Sequence, residues 1–463
     1  MKSTTLLSLA WATQSAYALS LHQRDEPAAL ALNFERRQIA DRPRRKRSTA
    51  SAELVNLAAN LGYTMNITLG TPGQKVSVTL DTGSSDLWVN AGNSSACPCD
   101  YGTYNSSDSS TYEYVNDEFE IQYVDNSEAI GDYVNDTLQF ANVTLTSFTF
   151  AVAYDSDSDE GVFGIGYAAD EASQESDYGT YTNFPEALVD QGVINWPAYS
   201  LWLDDLEKGE GTILFGGVNT AKYYGSLQTL PIIPESDGYE EVYAEFAVNL
   251  TAVHLEKSGK AVSVNNTAQQ FPISAVLDSG TALAYIPSSA AESIFDAVGA
   301  DYSNEYGYAV VDCSLKNEDF TFYFEFASQF NITVDISEMV IADEGSANIC
   351  TFGLSTIDDE ALLGDTFLRS AYVVYDLGNN EVSIAQANFD PGTDNVLEIG
   401  TGSNAVPNAT GASQSTSSGS KSGSSSTGTS ASDSKKESLA TMSRSDLVSL
   451  VAGLAVTGFF LTL

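Results

Sequence analysis

Histidine is almost missing from this chain. There are two in 463 residues, and only His254 remains if the first 47 residues are removed. A serine or cysteine hydrolase needs a nucleophile with a base beside it, and His254 stands in TAVHLEKSG with no nucleophile motif around it. The H-E-x-x-H of a zinc protease is absent as well. Cysteine is scarce too. Cys97, Cys99, Cys313 and Cys350 are the only four, too few with one histidine to build a metal site. No metal or other cofactor is expected. Cations are the third shortage: 20 Lys and Arg face 62 Asp and Glu, a formal net charge of −42. Such a chain repels nucleic acid and suits cationic partners. Acid conditions, which neutralise carboxylates, should suit it best.

The ends differ from the middle. Residues 1–18 carry Lys2, the apolar LLSLAWA and then Ala16-Tyr17-Ala18, the order of parts in a secretory signal with its cleavage site. Residues 19–47 are basic and close on Arg44-Arg45-Lys46-Arg47, a block suited to a processing protease of the secretory route. This segment is expected to be a pro-segment. Its removal leaves 11 basic against 58 acidic residues, formally −47, so a basic lid held on an acidic body by ion pairs is expected. Residues 401–446 are rich in Ser and Thr and cannot bury enough apolar surface to fold. They are expected to form an O-glycosylated stalk. Residues 447–463 form an uncharged apolar tail. Small residues near 430–434, a polar spacer and this tail match a GPI-anchor signal; an ordinary C-terminal transmembrane helix is the alternative. The expected location is the cell surface, at the plasma membrane or in the wall.

A secreted chain oxidises its thiols. Cys313 and Cys350 lie in the same later part of the chain and are the natural pair. Cys97 and Cys99 have no other partners and could close a tight C-x-C ring, a strained geometry. Sequons at Asn66, Asn93, Asn105, Asn135, Asn142, Asn249, Asn265, Asn331 and Asn408 are candidate glycosylation sites.

Between residues 61 and 400, short β-rich runs alternate with Gly, Asn, Asp and Ser. YTMNITLG, KVSVTLD, VTLTSFTFAVAY, TILFGGV and FTFYFEF are expected strands, and SAYVVYDLGNNEVSIAQA an expected hairpin. NFPEALVDQGV and SSAAESIFDAVGA are the best helical stretches. An all-β fold with minor helices follows. It is large for one core, so two lobes are expected, 48–238 and 239–400, with PIIPESDGYEE near the boundary.

Each lobe holds one acidic turn. VTLDTGSSDLWVN places Asp81 after an apolar run, and AVLDSGTALAYIP does the same for Asp278. Each lobe also holds a later apolar-Gly segment, GVFGIGY at 161–167 and ALLGDTF at 361–367. The repeated order is an internal duplication on the scale of a lobe. One Asp-Thr-Gly is an ordinary turn; two in matching contexts are not. An approximate two-fold would bring the turns face to face. Two carboxylates at short range cannot both ionise easily and titrate as a pair. Such a pair can hold a water, take a proton from it with one carboxylate, and donate to a carbonyl with the other.

On these motifs the chain resembles the pepsin family of aspartic proteases over roughly 61–392, which implies a bilobal double-β-barrel fold. The resemblance implies that Asp81 and Asp278 are the catalytic pair. Ser84 and Thr281 match the hydroxyls that support it, beside Gly83 and Gly280. Trp88 matches the buried tryptophan behind the flap, and Tyr123, in FEIQYVDNSEAIGDYVNDTL, matches the flap tyrosine. The family usually follows that tyrosine with Gly-x-Gly; here Val124 and Asn126 stand instead. Asp125 resembles the flap acid of fungal relatives that accept Lys or Arg before the cut. The whole layout is similar to fungal yapsins, cell-surface enzymes that cleave at basic residues. It implies a monomeric endopeptidase acting on peptides or proteins. CPCDYGTYNSSDSS is too short for the extended loop of two-chain forms. YDSDSDEG at 154–161 is an acidic loop, either a solvated charge run or a surface that steers basic substrates. The competing reading is a catalytically silent, glycosylated wall protein on the same scaffold.

Overall fold

β-branched and aromatic side chains at alternate positions favour pleated, half-buried segments, and strands dominate. The computed structural model describes residues 29–36 and 62–411, except 142, 176–177, 237–240, 266–269, 304–306, 327–329 and 343–347. In chain order the first half carries β1 (Leu30–Arg36), β2 (Tyr63–Leu69), β3 (Gln74–Asp81), β4 (Leu87–Asn90), β5 (Glu113–Gln122) and β6 (Glu128–Phe140). β7 (Val143–Ser156), β8 (Gly161–Gly164), β9 (Ala198–Leu203) and β10 (Glu210–Phe215) follow. The expected helices are present as Phe184–Asp190 and Ser288–Val298. Asn183 caps the first by accepting from the Glu186 amide, with Pro185 in its first turn.

Six strands close a barrel. β2 pairs with β3, β3 with β8, β8 with β4, β4 with β7, β7 with β6, and β6 returns to β2. Closure removes the exposed edges that an open sheet would leave. In the second half a five-stranded sheet runs in the order Ala247–Leu250, Ile273–Leu277, Ala361–Leu363, Ala284–Ile286, Leu354–Thr356. The two halves share one sheet. Val373–Asp376 of strand Ala371–Asp376 pairs antiparallel with β9, and Glu381–Gln386 pairs back on Ala371–Asp376 as the expected hairpin. Asn380 takes a left-handed φ of 55° at the hairpin turn, a conformation that Asn tolerates better than most residues. This is the all-β, bilobal, pepsin-like architecture that the sequence pattern anticipates.

The main buried cluster draws on both halves. Beneath the shared sheet Tyr199 stacks on Tyr375 at 5.1 Å, and Phe246 meets Tyr375 edge-on at 4.6 Å. A buried ion pair of the second half also reaches the first. Arg369 Nε donates to Glu338 Oε2 at 2.6 Å, and Glu338 accepts from the Leu206 amide.

Two segments extend the folded body. β1 lies inside the expected pro-segment, yet it pairs with β10 over six positions and with β2 at its far end. Phe34 is buried there against Tyr63. At the other end, the expected stalk boundary at residue 400 moves outward. Ala405 is buried, and Ala409–Thr410 pairs parallel with Leu227–Gln228. Composition cannot weigh a few well-placed apolar residues in a polar stretch, which is why the boundary falls late. PIIPESDGYEE contributes a small pairing of Glu235–Ser236 with Glu241–Val242.

Both disulfides are present, Cys313–Cys350 and Cys97–Cys99. Asn66, Asn93, Asn105, Asn249, Asn265 and Asn408 are exposed, and Asn135 and Asn331 are half-buried. Asn142, the signal, the Arg44–Arg47 block, most of the stalk and the 447–463 tail lie outside the described residues. No helix among the described residues is long and apolar enough to cross a membrane.

Candidate active site

Each acidic turn ends a strand that runs parallel to an apolar-Gly segment. Asp81 closes β3 beside Gly164 of β8, and Leu277, just before Asp278, lies beside Leu363. The backbones then interlock in the same way twice. The Gly164 amide donates to Asp86 O at 3.0 Å, and the Gly364 amide donates to Leu283 O at 3.2 Å. A Cβ on Gly164 would sit 2.6 Å from the Ser85 and Asp86 amide nitrogens, and one on Gly364 would strike the Thr281 carbonyl. Glycine is needed at both positions for this close approach of backbones.

The two turns grip each other. The Thr82 amide donates to Ser279 Oγ at 3.1 Å, and the Ser279 amide donates to Thr82 Oγ1 at 2.9 Å. Thr82 Oγ1 donates to Leu277 O at 2.8 Å, and Ser279 Oγ to Leu80 O at 3.0 Å. Each hydroxyl thus both accepts from and donates to the backbone of the opposite half, so neither turn can shift alone. The sequence motif contains both residues but gives no sign of this reciprocal bonding, which exists only once the halves meet.

The carboxylates face one another across the grip. Gly83 N donates to Asp81 Oδ1 at 2.8 Å, and Gly280 N donates to Asp278 Oδ1 at 2.7 Å. Ser84 Oγ donates to Asp81 Oδ2 at 2.5 Å, and Thr281 Oγ1 donates to Asp278 Oδ2. The opposition is close enough that a Cβ on Gly83 would meet Asp278 Oδ1 at 2.5 Å, and one on Gly280 would meet Asp81 Oδ1. Burial, then the charge of Asp278, pushes the Asp81 carboxyl well above the ordinary carboxylate range, with Ser84 opposing the rise. Asp81 therefore holds its proton into conditions where a free carboxylate has lost it.

The flap turn follows β5. The Tyr123 amide donates to Ser127 O at 2.9 Å, and the Asn126 amide donates to Tyr123 O at 2.8 Å. Asn126 has a φ of 63°. It fills a place where the family pattern has glycine, and Asn is among the few residues that accept this conformation. Val124 is exposed at the tip. Trp88 Nε1 donates to Tyr123 OH at 2.7 Å, tying the flap tyrosine to the barrel. Asp125 Oδ1 accepts from both the Ser127 amide and Ser127 Oγ, at 2.9 and 2.6 Å.

A second acid of the first motif went unread. Asp86 is fully buried and accepts from Tyr133 OH, Tyr181 OH and the Ala172 amide at 2.9, 2.8 and 2.8 Å. Beside it Glu171 accepts from the Tyr181 amide at 2.7 Å. Burial raises Asp86 above its usual range and pushes Glu171 up to about 9. Their partners lie far along the chain, so no local pattern announces them.

Between the flap and the paired carboxylates lies a cleft of about 310 Å³. Trp88, Tyr123 and Val162 line it from one side, and Leu283, Tyr285 and Leu362 from the other.

A bilobal β protein with one carboxylate from each half, held face to face under a hairpin, has the defining arrangement of an aspartic protease. The family model for eukaryotic aspartyl protease matches residues 62–387. The chain is 45% identical over 415 residues to the probable aspartic-type endopeptidase opsB of Aspergillus fumigatus, covering 85% of this chain and 84% of that protein. It is 34% identical to the aspartic proteinase MKC7 of Saccharomyces cerevisiae, covering 73% and 68%. It is 37% identical to secreted aspartic protease 8 of Candida albicans, covering 75% and 80%. The chain belongs to the eukaryotic aspartyl protease family and is an aspartic endopeptidase.

Proposed function

We propose that this is a secreted, cell-surface endopeptidase in which Asp81 and Asp278 activate water directly, and which prefers a basic residue before the cut. The observation that carries the reading is the opposition of the two carboxylates. Each is held by its own glycine amide and its own hydroxyl, and they lie so close that only glycine fits opposite each. The pair shares one proton. The ionised member takes a proton from the bound water as it attacks, and the protonated member donates to the carbonyl oxygen of the scissile amide. The tetrahedral intermediate collapses when the leaving nitrogen is protonated. No covalent intermediate forms on the protein. Tyr123 and the flap close over extended peptide and exclude water.

The basic preference rests on Asp125, which lines the cleft from the flap. Asp125→Thr should cut the preference for Lys and Arg over neutral residues about tenfold, a difference of about 1.4 kcal/mol. The signal at 1–18, the basic block at 44–47, the Ser/Thr-rich stretch and the apolar tail support secretion, processing and GPI anchoring. Processing after Arg47 would remove β1 from its place between β2 and β10. Release of the protein from membranes by a GPI-specific phospholipase tests the anchor.

A peptide assay at acid pH tests the chemistry. Processed wild type should cleave and be blocked by a pepstatin-type inhibitor. Asp81→Asn and Asp278→Asn should each lose about 10³-fold or more of kcat. Residual activity within tenfold of wild type in either variant would overturn the assignment.

A further inference from the structure

Acids are unevenly spread around the cleft. Besides Asp81, the first half lines it with Asp125, Glu128, Asp159 and Glu160. The second half lines it with Ala282, Leu283, Tyr285, Ile357 and Leu362 and adds no carboxylate beyond Asp278. No Lys or Arg lines it among the described residues. The four acids are not equivalent. Glu128 is exposed on the rim, and Glu160 is 5% exposed and accepts from Ser77 Oγ at 3.3 Å, facing the barrel. Asp125 and Asp159 are half-buried and approach the same space from different elements.

We propose that Asp159 is a second specificity-determining residue, a fixed carboxylate that shares with Asp125 the cationic side chain of the residue before the cut. This deepens the basic preference proposed above and rests on it. Asp125 alone is a poor receptor. Its Oδ1 already accepts twice from Ser127, while an ammonium carries three donors and a guanidinium five. Asp125 also rides on the flap, so its charge is in place only when the flap is closed. Asp159 sits on the barrel wall, in a loop pinned from three directions. Asn90 Nδ2 and Ser156 Oγ both donate to Ser158 O at 2.9 Å, and Ser158 Oγ donates to Glu160 O at 2.8 Å. The aliphatic stem of Lys or Arg would run along Thr79, Trp88 and Val162, which line the same wall, as long cationic side chains commonly bury their stems. The wall acid would select the cation on entry, and the flap acid would close on it.

Three peptides that differ only in the residue before the cut, Arg, Lys or norleucine, test this with processed enzyme at about pH 6, where carboxylates are ionised. Wild type should prefer Arg and Lys over norleucine. Asp159→Asn should reduce that ratio of kcat/KM five- to tenfold, chiefly through KM for the Arg and Lys peptides. Asp125→Thr should reduce it by a similar factor, and the double variant should lose the preference. If Asp159→Asn impairs norleucine cleavage too, Asp159→Ser replaces it as the test variant. A wild type with the preference and an Asp159 variant that keeps the ratio within twofold would sink the role of Asp159 alone. A wild type without any preference would sink both readings.

Discussion

The two halves of the molecule build the same turn and then use it differently. Each supplies an Asp, an amide from the glycine two residues on, and a hydroxyl three residues on. At this turn the halves make matching hydrogen bonds. Away from it the first half adds the flap, the Trp88–Tyr123 bond and the cleft acids, while the second half adds aliphatic surface. Duplication gives two matching turns, and divergence gives them unlike surroundings; on the proposed function, that difference would give a peptide a direction in which to lie.

The strongest way to break this comparison is through the glycines. Gly83→Ala and Gly280→Ala each put a methyl group against the opposite carboxylate. If the centre is symmetric, both should lower kcat by about 10² or more and leave the folded body intact by circular dichroism. A loss in one variant and near-normal turnover in the other would show that the halves are not chemically equivalent.

Next in size is the second-half disulfide. Cys313–Cys350 spans 37 positions. Closing a loop of that size removes enough freedom from the unfolded chain to stabilise by about 3–4 kcal/mol. Cys313→Ser with Cys350→Ser should lower the denaturant midpoint accordingly. A shift worth less than about 1 kcal/mol would mean that the unfolded second half is already compact.

The pH response should separate the halves more gently. Burial pushes Glu171 up to about 9 and Asp170 up to about 8, both in the first half. In the second half Glu245 is pushed up to about 7, by burial and then by Glu360. Unfolded carboxyls of this kind titrate near ~4. Above that pH the unfolded chain has released protons that the folded one still holds, so stability falls as pH rises. The contribution is complete below the unfolded value and is lost by about pH 9 for Glu171 and about pH 7 for Glu245. Glu171→Gln keeps an acceptor for the Tyr181 amide and removes the titration. Its melting temperature should fall less between pH 4 and 8, ending roughly 2–4 °C above wild type at pH 7. Wild-type behaviour in that variant would place the alkaline weakness elsewhere.

How much of this was legible follows from how local each signal is. Asp81, Asp278, Ser84, Thr281 and Tyr123 sit in short motifs at fixed spacing, so the sequence alone singles them out, and the structure gathers them around one cleft. The strands around them follow from period-two patterning. What escaped depends on distant partners. Asp86 stands inside the first motif, but its burial is set by Tyr133 and Tyr181, 47 and 95 residues away. Asp159 was one charge in an acidic run until folding put it at the wall of a cavity. β1 was hidden because basic composition outweighed LALNFER, whose Phe34 packs against Tyr63.

The smallest effect expected is in the first-half disulfide, and it completes the contrast. Cys97–Cys99 joins residues two positions apart, so reducing it returns little conformational freedom to the unfolded chain. The surrounding loop is held by other bonds: the Ser94 amide donates to Ala91 O at 3.0 Å, and Ser94 Oγ donates to Asn90 Oδ1 at 2.8 Å. Cys97→Ser with Cys99→Ser should therefore change stability by less than about 1 kcal/mol, against about 3–4 kcal/mol for the second-half pair. Urea titrations of the two double variants beside wild type decide the matter. Equal losses would mean that the small ring shapes the native loop itself, and that entropy of the unfolded chain does not distinguish the halves.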